Sequence, residues 1–292
     1  MTWRTIVITK KAKLELKLGS LVIRHEDGKY TKIFLGEIAV LIVENTAVAL
    51  TAALLCELSK RKIKVMFCDE KRNPYSEIIP YFSCFNSSGK IKEQIMWTNF
   101  VKGLVWTEIV KNKILQQRQV LIDYNLPGFT YLDQYINNLQ FNDVTNAEAH
   151  AAKIYFSALY DTDFSRSVTS CINSAMNYGY AVIMSAFNRE ISANGYLLQI
   201  GLFHDSAQNP FNLACDLMEP FRVLVDRRVL ALNPKSFNTE EKHYMVDVLN
   251  DEVKIAGQKQ YVLNAIRIYC RSVFRAIESQ NPELIKFYTY EL

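Results

Sequence analysis

The sequence predicts an α+β fold: a small β-sandwich-like domain at the amino terminus, followed by a larger all-α domain. Three observations carry this prediction. Short apolar and alternating runs fill the first 45 residues, a stretch rich in Pro, Ser and Asn interrupts the chain between 69 and 90, and apolar positions recur at helical spacing from Ile91 onward. We place the β-rich domain at residues 1–75, a linker at 76–90 and the helical domain at 91–292.

In the first domain, residues 4–9 alternate around Ile6 and Ile8. Ala12, Leu14, Leu16 and Leu18 then face one way while Lys11, Lys13, Glu15 and Lys17 face the other, the period of a half-buried strand. Gly19-Ser20 reads as a tight turn into a strand over 21–25, and Asp27-Gly28 as a hairpin signal leading into 30–35. Residues 38–43 are apolar without interruption, which suits a strand buried on both faces. Residues 47–60, rich in Ala and Leu, form a helix, and 64–68 return to strand. In the second domain Ile91, Ile95, Val101, Val105 and Ile109 keep near-helical spacing. Further helices are predicted over 146–160, 164–188, 213–232, 240–250 and 259–279. Pro127-Gly128, Pro210 and Asn233-Pro234 punctuate them, and the apolar tail 287–292 is expected to pack on its own domain.

Composition narrows the class. Hydrophobic residues make up 49% and charged residues 22% of the chain, as in an ordinary globular protein. The longest apolar stretch, over 38–56, is broken by Glu44, Asn45 and two threonines, so no membrane span is expected. Met1-Thr2-Trp3-Arg4 has no signal-peptide pattern, and a cytoplasmic location is expected. Six scattered cysteines, Cys56, Cys68, Cys84, Cys171, Cys215 and Cys270, form no C-x-x-C pair and read as reduced thiols. The basic excess is concentrated in residues 1–80, with 14 Lys and Arg against 9 Asp and Glu. That surplus is compatible with nucleic-acid contact without requiring it.

The residues that carry chemistry lie in the second domain. Glu148 stands in Asn146-Ala147-Glu148-Ala149-His150, and His204 ends Gly201-Leu202-Phe203-His204. Asp216 and Glu219 lie in Asp216-Leu217-Met218-Glu219-Pro220-Phe221-Arg222. A hard divalent cation acting on a phosphodiester takes oxygen ligands and an occasional imidazole, the set these residues supply. Asp216, Glu219 and Arg222, three apart, share one helical face. Pro220 predicts a kink, or a helix that starts nearby. Taken singly, each residue has a plainer role, His204 as a cap or surface histidine and Glu148 as a solvated helix residue. His150 competes with Glu148, but two positions apart on a helix their side chains diverge, so one ion uses one of them.

In order, the Glu148 motif, Asn173-Ser174-Ala175-Met176-Asn177-Tyr178-Gly179-Tyr180, the His204 motif and the segment from Leu213 to Asp226 resemble the signature of the CRISPR-associated spacer-acquisition integrase. The type II-A variant is the most similar. The resemblance implies a metal-dependent DNA integrase in which Glu148, His204 and Glu219 are catalytic and bind Mg²⁺ or Mn²⁺. It also implies that Asp216 is an auxiliary acid and that Asn173 and Asn177 shape the site. The chain departs from the family in the first motif, where Arg-Glu-Gly is common and Ala-Glu-Ala stands here; the Glu is retained.

The implied reaction joins the 3′-hydroxyl ends of short DNA fragments (prespacers) to the CRISPR repeat by transesterification, with no ATP and no Gly-rich phosphate loop. The alternatives are a stand-alone metal-dependent DNA endonuclease and a non-catalytic DNA-binding scaffold. Candidate phosphate contacts are Arg227, Arg228 and the stripe Arg267, Arg271 and Arg275, with Lys60, Arg61, Lys62 and Lys64 as the densest basic run. By the same resemblance the partners are double-stranded DNA and a second copy of the chain, joined through the β-rich domain. A second adaptation protein completes a heterohexamer, and a DNA-end-binding ring protein and the effector nuclease join it; no membrane is involved.

Overall fold

The computed structural model describes residues 4–80 and 86–290. The chain begins with strands β1 (Arg4–Ile8), β2 (Ala12–Lys17), β3 (Ser20–His25), β4 (Tyr30–Phe34), β5 (Ile38–Val43) and β6 (Ala49–Leu50). Helix α1 (Ala52–Lys60) and strands β7 (Lys64–Cys68) and β8 (Pro74–Glu77) complete the first part. Two four-stranded sheets result, ordered β1-β5-β7-β8 and β4-β3-β2-β6. Leu14, Leu21, Ile23, Leu41 and Val65 fill the space between them with Leu54 and Leu58 of α1. Leu18, expected on the apolar face of β2, instead turns the chain: Leu18 and Gly19 both have positive φ, and Leu18 is 84% exposed. This two-residue hairpin turn has the twist that antiparallel strands favour.

β5 is buried along its whole length between the parallel strands β1 and β7. The β1 register shifts so that Arg4 and Thr5 face Ile38 and Val40, skipping Ala39. That bulge resets the alternation of β5. Ile38, Leu41 and Val43 point into the sandwich, whereas Ala39, Val40 and Ile42 join the core of the helical part.

The second part contains helices α2 (Ser87–Ile95), α3 (Asn99–Asp123), α4 (Phe129–Asn137), α5 (Ala147–Leu159), α6 (Cys171–Ala193), α7 (Asn212–Leu232) and α8 (Thr239–Val246). Strands β9 (Glu252–Ile255) and β10 (Gln258–Tyr261), helix α9 (Val262–Glu278) and strand β11 (Tyr288–Thr289) follow. It departs from the expected all-α domain in its three-stranded sheet, ordered β10-β9-β11. Residues 259–261, expected to open a helix, form with Gln258 a hairpin on β9 through Ala256-Gly257, both at positive φ. The described part of the tail, 287–290, packs on its own part: Tyr288 is buried and its hydroxyl donates to the Pro220 carbonyl at 2.9 Å.

Near the expected linker, β8 crosses the boundary at 75 and α2 begins at Ser87, while residues 81–85, including Cys84, lie outside the described residues. The five described cysteines are unpaired, and Cys56 is exposed. Among the described residues no helix is long and apolar enough to cross a membrane. Polar contacts reinforce the shared apolar core. Lys64 and Glu77 form a buried ion pair at 2.5 Å, Asn188 on α6 donates to Glu77 at 3.3 Å, and Arg189 donates to the Lys62 carbonyl at 2.8 Å.

Candidate active site

Three helices bring the acidic residues together. α3 runs through the core behind Trp106, Ile109, Val110 and Ile114, all fully buried, and carries Lys113 inward. α5 starts on the carboxylate of Asp143, which accepts the backbone N–H groups of Ala147 at 2.7 Å and Glu148 at 3.1 Å. This cap holds Glu148 in the first helical turn, where the helix dipole also favours a carboxylate. α7 continues through Pro220, beginning at Asn212 rather than beside the proline. Packing against α3 and α6 outweighs the lost N–H, a tertiary override of local preference.

Glu148 and Glu219 converge on one cation. The Lys113 ammonium donates to Glu148 Oε1 and to Glu219 Oε2, each at 2.5 Å, while Arg222 Nε donates to Glu219 Oε1 at 2.9 Å. Burial pushes the Glu219 carboxyl up, but Arg222 and Lys113 outweigh it and hold the group at about 2. Burial works against the Lys113 ammonium too, yet Glu219 and Glu148 raise its pKa overall. This is a fully paired ionic cluster, and removing any one member would leave a buried charge uncompensated.

His204 is placed by a loop wrapped on Asp216. This carboxylate is fully buried and accepts the backbone N–H groups of Leu202 at 2.6 Å, Phe203 at 3.1 Å and His204 at 3.0 Å. Its Oδ1 also bonds His204 Nδ1 at 2.6 Å. A Cβ at Gly201 would lie 2.4 Å from the His204 carbonyl and 2.6 Å from Asp216 Oδ2, so the turn requires glycine. Trp106 stacks on Phe203 at 4.6 Å and meets His204 edge-on. The imidazole pKa is raised, first by the Asp216 hydrogen bond, against burial, with Glu219 and Glu148 adding to the effect. Asp216, read from sequence as an auxiliary acid at the ion, is therefore occupied in fixing the histidine.

Asn173 and Asn177, expected to shape the site, both hold Arg166. Their side-chain oxygens each accept from its guanidinium at 2.6 Å, and Asn173 Nδ2 donates to the carbonyls of Ser165 and Val168. Arg166 and Arg222 both lie over the Tyr180 ring, at 5.3 and 4.8 Å. The Tyr180 hydroxyl donates to the buried Asp226, which also accepts from Tyr155 at 3.2 Å. Beside Glu219, Lys113, Gln117, Arg166, Tyr180 and Arg222 line a cavity of about 190 Å³.

Among the described residues, no three His, Cys, Asp or Glu side chains converge as a ready cation cage; the Lys113 ammonium stands between the two carboxylates. The donor chemistry nonetheless fits a divalent ion. Two carboxylates already share one positive charge, and His204 has its Nδ1 fixed by a carboxylate, the arrangement that leaves Nε2 as a ligand. His150 turns away and stacks on Tyr135.

The basic candidates divide. Arg227 and Arg228, expected as DNA contacts, are internal pairs instead: Arg227 is buried against Asp123, and Arg228 forks onto Asp251. Arg267 is half-buried, and Arg271 and Arg275 are exposed, along one face of α9. The basic run near Lys60 disperses, with Arg61 paired to Glu57 and Lys64 to Glu77. Sequence reading missed Lys113, Arg166, Asp143 and Trp106. Only Asp143, an acid preceding a predicted helix, carried a local capping signal.

Fold and site together define a two-part α+β protein whose helical part encloses paired carboxylates, cations and an oriented imidazole, groups from which phosphodiester chemistry is built. The family profile described as "CRISPR associated protein Cas1" matches residues 5–254, and the chain belongs to that family. It is 33% identical over 292 residues to the CRISPR-associated endonuclease Cas1 of Neisseria meningitidis serogroup C (strain 8013), covering 98% of this chain and 96% of the relative. The solved Cas6-RT-Cas1–Cas2 complex matches 97% of this chain and 36% of that one, with TM-score 0.74 and 14% identity. A casposase bound to integration product matches with TM-score 0.70 and 17% identity, over 96% and 92% of the two chains. At these identities the two structures speak to the fold alone.

Proposed function

We propose that the chain is a metal-dependent DNA endonuclease and integrase of CRISPR adaptation, joining prespacer 3′-hydroxyl ends to the repeat by transesterification. The observation that supports this reading best is the convergence of Glu148 and Glu219 on a single cation, with His204 in the field of both carboxylates and its Nδ1 fixed by Asp216. Glu148, Glu219 and His204 Nε2 would hold Mg²⁺ or Mn²⁺. Bound there, the ion would supply Lewis acidity at the scissile phosphate and would lower the pKa of the attacking hydroxyl. Asp216 keeps the imidazole oriented, and Arg222 keeps Glu219 ionised. Arg222 and Arg166, stacked on Tyr180 beside the cavity, are fixed positive charges suited to a DNA phosphate.

The partners follow the same reading. A second copy is proposed to dock through the β-rich part, where Leu18, Tyr30 and Phe34 are 84%, 69% and 54% exposed around the edge strand β4. The second adaptation protein would bridge two such dimers, with the DNA-end-binding ring protein and effector nuclease as further partners. The test incubates the protein and the second adaptation protein with a splayed duplex, a repeat plasmid and Mg²⁺. Covalent joining is expected, and Glu219→Ala should lower it by at least about 100-fold while DNA binding stays nearly intact. Cleavage without joining would instead favour a stand-alone nuclease, and equal activity of mutant and wild type would reject the role of Glu219.

A further inference from the structure

We propose that Lys113 is the resident counter-cation of the Glu148 and Glu219 pair, and that a divalent ion binds by displacing it toward Gln117. This inference rests on the metal-dependent reading of the site. Three observations carry it. First, Glu219 has no idle oxygen, since Oε1 accepts from Arg222 and Oε2 from Lys113, and Glu148 Oε1 is taken by the same ammonium. An ion bound to these carboxylates with Lys113 still in place would press a third cation into a buried cluster that already holds two.

Second, the two cations on Glu219 differ in freedom. Arg222 is clamped against the Tyr180 ring, whose hydroxyl is itself tied to buried Asp226. Lys113 has a flexible four-carbon stem and lines the cavity of about 190 Å³. Third, a buried acceptor without a partner lies beside that cavity. Gln117 lies one helical turn beyond Lys113 on α3 and lines the same space. Its side chain is 2% exposed, and its Oε1 is buried without a hydrogen-bond partner. An unpartnered buried carbonyl costs free energy, and an ammonium that left the carboxylates would satisfy it. The site thus has two seats for one ammonium. With Lys113 between the carboxylates, α3, α5 and α7 are assembled before any ion arrives. With Lys113 on Gln117, both carboxylates open to the ion and the positive charge stays beside the cavity.

The test measures Mn²⁺ binding by electron paramagnetic resonance on the full chain without DNA. Lys113→Met, which removes the competing charge at similar volume, should bind Mn²⁺ about tenfold or more tightly than wild type, and its melting temperature should rise more on Mn²⁺ addition. Gln117→Leu, which removes the second seat, should bind more weakly than wild type. Equal or weaker binding by Lys113→Met overturns the proposal. If Lys113→Met does not fold, the wild-type protein crystallised with Mn²⁺ decides: an ammonium moved to Gln117 supports the proposal, and one still on both carboxylates beside the bound ion overturns it. Absence of Mn²⁺ binding by wild type and Lys113→Met alike sinks the metal reading itself, a result distinct from a wild type that binds and a variant that gains nothing.

Discussion

Gly201 shows how one residue can carry chemistry without reacting. The loop over 201–204 turns tightly enough to aim three backbone N–H groups at Asp216, and that leaves no room for a methyl group. Gly201→Ala is expected to cost about 1–3 kcal/mol in a denaturant melt, as overpacking does. It should also lower joining by roughly tenfold or more through displacement of His204. Wild-type stability together with wild-type joining would show that the loop has slack. The same residues mark how far the site was legible in sequence. Glu148, His204 and Glu219 each stand in a short motif of recognisable chemistry. Asp216 was visible as an acid, but only its direction shows that it holds backbone and imidazole. Lys113 gave no sign, because a lysine inside a long helix ordinarily reaches solvent.

At the scale of elements, the basic residues of α3 and α9 take opposite roles. α3 buries Lys113 among carboxylates, while α9 spreads Arg267, Arg271 and Arg275 along its outward face, where among the described residues none of the three has a side-chain hydrogen bond or ion pair. Arg227 and Arg228 on α7 are consumed by Asp123 and Asp251. DNA affinity should therefore depend on α9. Replacing its three arginines by Gln is expected to weaken duplex binding at low salt and to reduce the slope of log K against log salt by about 2–3, near 0.9 per lost contact. An unchanged slope would remove α9 from the DNA path. The helices of the second part were legible because their 3.6-residue apolar period is long and regular. The sheet β10-β9-β11 was not, since four-residue strands carry too little pattern to compete with the helix that follows.

At the scale of the molecule, Asp226 ties α5, α6 and α7 together through Tyr155 and Tyr180 and gives stability a pH dependence. Burial raises its carboxyl from 3.8 to about 6, against the opposing pull of the two tyrosine hydroxyls. A folded pKa above the unfolded one means that the neutral acid stabilises the fold. Its contribution is complete below about pH 4 and is lost as pH rises through about 6. Asp226→Asn should remove this dependence, so its stability relative to wild type rises by on the order of 2–3 kcal/mol between pH 4 and pH 7. A stability difference that stays constant across that window would contradict the assignment.

The amino-acid sequence alone determined the α+β class, the strand-rich start, most of the helices and three of the residues at the site. The fold class follows from local periodicity, and the site residues from the order of four short motifs, since each taken singly has a plainer role. Only the tertiary structure decided that β5 serves two cores at once, that Asp216 holds the loop, and that Glu148 and Glu219 meet on Lys113. The last of these depends on residues 35 and 106 positions apart coming within hydrogen-bonding distance. No local pattern encodes such a meeting; it is set by how α3, α5 and α7 pack.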